Sequence, residues 1–128
     1  MKLLLDTHTA LWLVNHYEKL SPKAKDMLMD EVNTLYFSIA SVWEVAIKAS
    51  IGKLSEVTGG TRAFITQIKK MPIEMLPISP RHVETVEGLP FIHRDPFDRI
   101  LIATAQVENM TIITADEYII KYDVHSAW

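Results

Sequence analysis

Lys2-Leu3-Leu4-Leu5-Asp6-Thr7 opens this 128-residue chain and decides how the rest is read. Three leucines in a row show no polar alternation, so they read as a short buried strand that ends at an acid. Similar apolar runs recur at Thr34-Leu35-Tyr36-Phe37-Ser38, Met75-Leu76-Pro77-Ile78 and Met110 to Thr114. Pro77 puts the third run at a sheet edge. Tyr122-Asp123-Val124 is a candidate final strand. Helix signals fill the gaps. Ala10, Leu11, Leu13 and Val14 mark a short amphipathic helix, and Ser21-Pro22 opens another that runs to about Asp30. Ile39 to Ile51 reads as a helix stopped by Gly52, and Gly59-Gly60 as a loop before a helix from Arg62 to Lys70. Ser79-Pro80 caps a helix to about Glu87, and Asp95-Pro96 one to about Asn109. A helical turn is expected from Ala115. Short apolar strands alternating with helices imply a parallel sheet covered on both faces.

The bulk properties narrow the class. The length suits one domain spanning residues 1–128, and 48% apolar with 23% charged residues and a mean hydropathy of +0.10 suits a compact soluble protein. No apolar run approaches the roughly 18 residues that span a bilayer, and Asp6 interrupts what would be the core of a signal peptide. The expectation is a cytoplasmic protein without membrane contact. The absence of cysteine excludes disulfides and thiolate–metal sites. The formal charge of −3 is unlike that of a typical nucleic-acid binder, but thirteen basic residues face sixteen acids, four of which have another use.

Those four are Asp6, Glu44, Asp98 and Asp116. Asp6 and Asp116 follow strands, Glu44 lies about two turns past the second strand, and Asp98 sits in the first turn of a helix. All can reach the sheet edge where the carboxyl ends of parallel strands bind ligands. Each also has a structural reading. Asp6 can cap a helix, and Glu44 with Lys48 forms a favourable i,i+4 pair. Asp95 and Asp98 occupy cap and N3 positions. Thr114 and Glu117 resemble a capping box, which leaves Asp116 surplus. Jointly the acids sit in apolar surroundings, Glu44 within Ile39-Ala40-Ser41-Val42-Trp43-Glu44-Val45-Ala46-Ile47 and Asp98 ahead of Ile100-Leu101-Ile102-Ala103. Crowded, poorly solvated carboxylates call for a cation. Oxygen ligands select a hard ion, Mg²⁺ or Mn²⁺ in its place. The five histidines show no metal-binding spacing, and His8 and His93 read as loop or surface residues despite lying near the acids.

Leu3-Leu4-Leu5-Asp6-Thr7-His8-Thr9-Ala10-Leu11-Trp12, Ser38 to Lys48, His93 to Gln106 and Ile112-Ile113-Thr114-Ala115-Asp116 together resemble the PIN-domain family, and most closely its VapC-type toxins. The motifs keep family order and spacing over nearly the whole chain. The resemblance implies a three-layer α/β/α sandwich with a short central parallel sheet and Mg²⁺-dependent endoribonuclease activity by metal-activated water. It also implies a homodimer, and an antitoxin partner that blocks the site. It assigns Asp6, Glu44, Asp98 and Asp116 as catalytic metal-binding acids, with Asp98 fitting the spacing better than Asp95. Asp95, Thr7 and Thr114 are then outer partners that orient carboxylates or water. Products bearing a 5′-phosphate and a 3′-hydroxyl are implied as well. Arg94, Arg99 and Lys48 are the candidate RNA-phosphate contacts, with Lys53 and Arg62 farther off, although Arg99 can equally pair with Asp95. Trp12, Trp43, Phe37 and Phe97 are able to stack bases, but their spacing favours the core. Two rivals stand: a catalytically silent PIN-like binding module, and an aspartate-dependent phosphoryl-transfer domain. The second needs another acid beside Asp6 or a lysine late in the chain; Asp6-Thr7-His8 lacks the first, and Lys121 is poorly placed for the second.

Overall fold

A computed structural model describes residues 1–55 and 57–128. Its five strands are β1 (Lys2–Leu5), β2 (Thr34–Ser38), β3 (Ile73–Leu76), β4 (Thr111–Ile113) and β5 (His125–Ala127). They form one sheet in the order β3-β2-β1-β4-β5, with every neighbouring pair parallel. The helices are α1 (Thr7–Asn15), α2 (Pro22–Met29), α3 (Ile39–Ser50), α4 (Gly60–Lys69), α5 (Pro80–Glu87) and α6 (Pro96–Glu108).

The leucines of β1 explain the layering. Successive strand residues point to opposite faces, and Leu3, Leu4 and Leu5 are all fully buried. Leu3 and Leu5 pack with Leu11, Leu28, Val45 and Phe64 from the first four helices. Leu4 packs with Leu101, Ile102 and Ile112, and Val86 of α5 joins that second core. A central strand buried on both sides, with helices over each, is the expected α/β/α sandwich.

Local chemistry sets the helix starts. Ser21 and Ser79 accept hydrogen bonds from Ala24 N and His82 N, with prolines at the first helical positions of α2 and α5. Asp95 does the same for α6, accepting from Phe97 N and Asp98 N. Gly59 precedes α4 at φ +86°, and a Cβ there would lie 2.9 Å from the Ala63 Cβ. The helix therefore begins at Gly60, two residues before the expected start.

Three expectations fail toward the C-terminus. The helical turn at Ala115 is replaced by a single 3₁₀ turn at Ile119–Lys121, because Asp116 Oδ1 takes the N–H groups of Tyr118 and Ile119. The Thr114–Glu117 capping box does not form, since the Thr114 hydroxyl serves Asp6 and the Asp116 N–H. The last strand is 125–127 rather than 122–124, because Tyr122 turns into the second core instead. In addition β3 stops before Pro77, at the sheet edge where that residue was expected.

Candidate active site

The chain lays β1, β2 and β3 down one side of the sheet, then starts the other side with β4 against β1. The reversal puts the ends of β1 and β4 side by side, where open parallel sheets bind ligands. Asp6 leaves β1 and Thr114 leaves β4. The Asp6 N–H and the Thr9 hydroxyl both donate to the Ile113 carbonyl, which ties the two ends together.

Asp6 is 5% exposed. Its carboxylate accepts from Thr9 N at 2.7 Å and from the Thr114 hydroxyl, so it caps α1 and faces the cleft at once. Burial pushes its carboxyl above the usual range, against the pull of those hydrogen bonds. Glu44, 4% exposed, accepts from the Thr7 hydroxyl on one oxygen and from Lys48 Nζ at 2.8 Å on the other. Both expected hydroxyl partners thus bind the acids, Thr7 to Glu44 and Thr114 to Asp6. Lys48 lines the cleft but is committed to Glu44.

The opposite wall comes from α6 and the turn after β4. Burial pushes the Asp98 carboxyl up to about 7, helped by the charges of Asp95, Glu44 and Asp116, while His93 opposes them. At Asp116 partial burial acts upward, but hydrogen bonds from His93, Tyr118 N and Ile119 N prevail and hold it below the usual range. His93 Nε2 lies 3.0 Å from Asp98 Oδ2 and 3.1 Å from Asp116 Oδ2. Ligand atoms of His93, Asp98 and Asp116 all fall within 4.8 Å of one another. Asp6, Glu44 and Asp95 line the same cleft of about 430 Å³, outside that tight group. The oxygen donors are all carboxylates, with the His93 imidazole between two of them. Burial, with the charges of neighbouring acids, holds Asp98 short of full ionisation near neutral pH, so the chemistry of these residues fits a divalent cation.

The PIN-domain family model matches residues 3–124. This chain belongs to the PIN-domain family. PIN domains are generally nucleases and typically use divalent metals. No curated protein matches the sequence. Among solved structures, the VapBC2 complex from Rickettsia felis, bound to a DNA fragment from their promoter, is similar at 14% identity and a TM-score of 0.74. That match covers 100% of this chain and 99% of that chain. VapBC-1 from nontypeable Haemophilus influenzae matches at 17% identity and a TM-score of 0.67, and DNA-bound VapBC from Salmonella typhimurium at 12% and 0.69. Both cover 99% of this chain and 97% of theirs. At such identities the likeness is one of fold.

Several PIN-domain expectations need correction. Arg99 neither faces the cleft nor pairs with Asp95. It is 6% exposed, and its guanidinium donates to the carbonyls of Pro90, Val86 and Leu89 and to the Tyr122 hydroxyl. It is an anchor for the loop before α6, with no surface left for phosphate. Arg94 is exposed on that loop, and Lys53 and Arg62 are exposed elsewhere. Trp43 is 61% exposed and meets Phe97 edge-on at 5.2 Å, whereas Phe37 is core as expected. Trp12 lines the cleft, half-buried.

His93 and Tyr122 were missed. Proximity to Asp95 and Asp98 was the one signal for His93, and nothing in the spacing shows which way its ring turns. The Tyr122 hydroxyl accepts from Ile92 N at 3.1 Å and His93 N at 2.7 Å and donates to the Pro90 carbonyl at 2.8 Å. Tyr122→Phe leaves two loop N–H groups unpaired. It is expected to cost about 2 kcal/mol in urea denaturation. An unchanged midpoint would show that water replaces the phenol.

Proposed function

We propose that this chain is a Mg²⁺-dependent endoribonuclease, with Mn²⁺ able to substitute, and the toxin of a toxin–antitoxin pair. The observation that carries the reading is the convergence of Asp6, Glu44, Asp98 and Asp116 on one cleft at the strand ends of a PIN domain. Those four residues would hold the ion. When bound, it supplies a water of lowered pKa and a countercharge for the phosphate. The chain itself fixes geometry: the hydroxyls of Thr114 and Thr7 orient Asp6 and Glu44, Lys48 offsets the Glu44 charge, and Asp95 seats the first turn of α6 under Asp98. Among the described residues the Thr7 and Thr9 hydroxyls in the cleft are donated to Glu44 and Ile113, which leaves water as the nucleophile. Hydrolysis then gives a 5′-phosphate and a 3′-hydroxyl. Arg94, exposed and lying in sequence between the cleft residues His93 and Asp95, is the candidate cation for the RNA backbone.

RNA as substrate, a blocking antitoxin, a homodimer and a cytoplasmic site of action extend this reading. Their support is the fold shared with chains of VapBC complexes. Among the described residues no helix is long and apolar enough to cross a membrane. The test is incubation of purified protein with defined RNA and single-stranded DNA oligonucleotides, with Mg²⁺, with Mn²⁺ or with a chelator. Expected is metal-dependent cleavage of RNA with 5′-phosphate ends, and growth arrest on expression. Protein that binds Mn²⁺ yet cuts neither nucleic acid would leave the silent-module reading in its place.

A further inference from the structure

His93 sits where Asp98 and Asp116 meet, and both of its ring nitrogens are occupied. Nε2 faces the two carboxylates, at 3.0 Å and 3.1 Å. Nδ1 lies 3.1 Å from the backbone nitrogen of Asp95, whose N–H points at the ring. A backbone N–H is only ever a donor, so Nδ1 must present its lone pair and the ring proton resides on Nε2. The Nε2–H is hydrogen-bonded to Asp116 Oδ2, with Asp98 Oδ2 close against the same nitrogen, so Nε2 has no lone pair for a metal. Histidines that ligate metals show the reverse arrangement, with the distal nitrogen donating its N–H to an acceptor. Here the group on the distal side is itself a donor.

The ring is held in this orientation from several directions. The His93 backbone N–H is fixed by the Tyr122 hydroxyl, and Arg99 pins the preceding carbonyls of Leu89 and Pro90. Tyr118 packs edge-on against the imidazole at 5.6 Å. Swinging the ring to offer a bare nitrogen to the cleft would break the Asp95 contact at the cap of α6, next to Asp98.

We propose that His93 is a positioning residue: an Nε2–H tautomer, locked by the Asp95 N–H, that hydrogen-bonds Asp116 and holds it beside Asp98, presetting their oxygens for a divalent cation without ligating it. The cation rests on the nuclease reading above; the tautomer and the bridge are properties of the metal-free protein. With no N–H between them, the two acids repel and the cation must assemble its own site.

Long-range ¹H–¹⁵N NMR of imidazole-labelled, metal-free protein should show Nε2 protonated and Nδ1 bare. In Mn²⁺-loaded protein, pulsed EPR should show no directly coordinated nitrogen from His93. Calorimetric Mn²⁺ titration should show His93→Ala binding about tenfold more weakly, with His93→Gln, which keeps an N–H donor, regaining most of the loss. A protonated Nδ1, or a nitrogen coupling that disappears in His93→Ala, overturns the proposal, as does a glutamine variant no better than alanine. If the alanine variant fails to fold, the NMR pattern of the unmutated protein still decides. Were the unmutated protein to bind no Mn²⁺, the metal-dependent reading and the presetting role would fall together. A protonated Nδ1 with intact Mn²⁺ binding would remove the bridge alone.

Discussion

Asp6→Asn is expected to reduce Mg²⁺-dependent RNA cleavage at least about a hundredfold while the protein stays folded and gains stability at neutral pH. Loss of an outer partner of a metal ligand already costs about 10–100-fold, and Asp6 is placed to do more than that. The fold should tolerate the change because asparagine can keep both contacts. Its amide oxygen accepts from Thr9 N as the carboxylate does, and its NH₂ can donate to the Thr114 hydroxyl, which has an unused lone pair. What disappears is a charge that burial disfavours. With the Asp6 carboxyl raised above 3.8 in the folded state, ionisation costs the native protein stability as pH rises through that window. Asparagine pays nothing, so its advantage should grow with pH in chelator-treated samples. The measurements are initial cleavage rates and urea midpoints at two pH values. Cleavage at the unmutated rate would remove Asp6 from the metal set, whatever the stability data show.

The legibility of this chain follows from what each signal encodes. Leu3-Leu4-Leu5 announces a strand buried on both faces because no polar residue interrupts it, and the Ser21-Pro22, Ser79-Pro80 and Asp95-Pro96 pairs announce helix starts through local hydrogen bonding alone. Asp6, Asp98 and Asp116 are legible as a group because each stands at the end of such an element, and Glu44 because it lies within two helical turns of a strand end. Arg99 could not be placed this way. It follows Asp98 in sequence, but successive helical residues point about 100° apart, so one faces the cleft and the other enters the core beneath Pro90. The same rotation separates buried Glu44 from exposed Trp43. Because α3 is apolar nearly all round, spacing alone did not say which side of it would lie free. Tyr122 was misread for a related reason: its role is a hydrogen bond to a loop some thirty residues earlier, which no local pattern records. His93 combines both difficulties, being a loop residue whose meaning lies in the direction of one ring.

Metal-free protein is expected to lose stability between about pH 4 and pH 7, and Mg²⁺ should restore it. Asp98 is the cause. Its carboxyl stands at about 7 in the folded chain against 3.8 in the unfolded one, so across that window the native state binds the extra proton. Stability then falls as pH rises, by at most about 1.4 kcal/mol per pH unit for a single group. Asp6 is raised as well and adds to the same trend. Asp116 is lowered, so its contribution is lost only on acidification below its unfolded value, outside the window. A cation binds the ionised acids and not the protonated ones, which reverses the slope near neutrality. At a hundred times its dissociation constant it stabilises by about 2.7 kcal/mol. Urea titrations at pH 4.5, 6 and 7.5, each with chelator and with Mg²⁺, read both effects. Asp98→Asn isolates them from other titrating groups, since the variant should show a flatter pH profile and a smaller response to Mg²⁺. If chelated protein grew more stable from pH 4.5 to 7.5 in parallel with that variant, the crowding of acids around Asp98 would not be what the cation relieves. The cleft would then have to be explained by the helix caps that Asp6 and Asp95 provide.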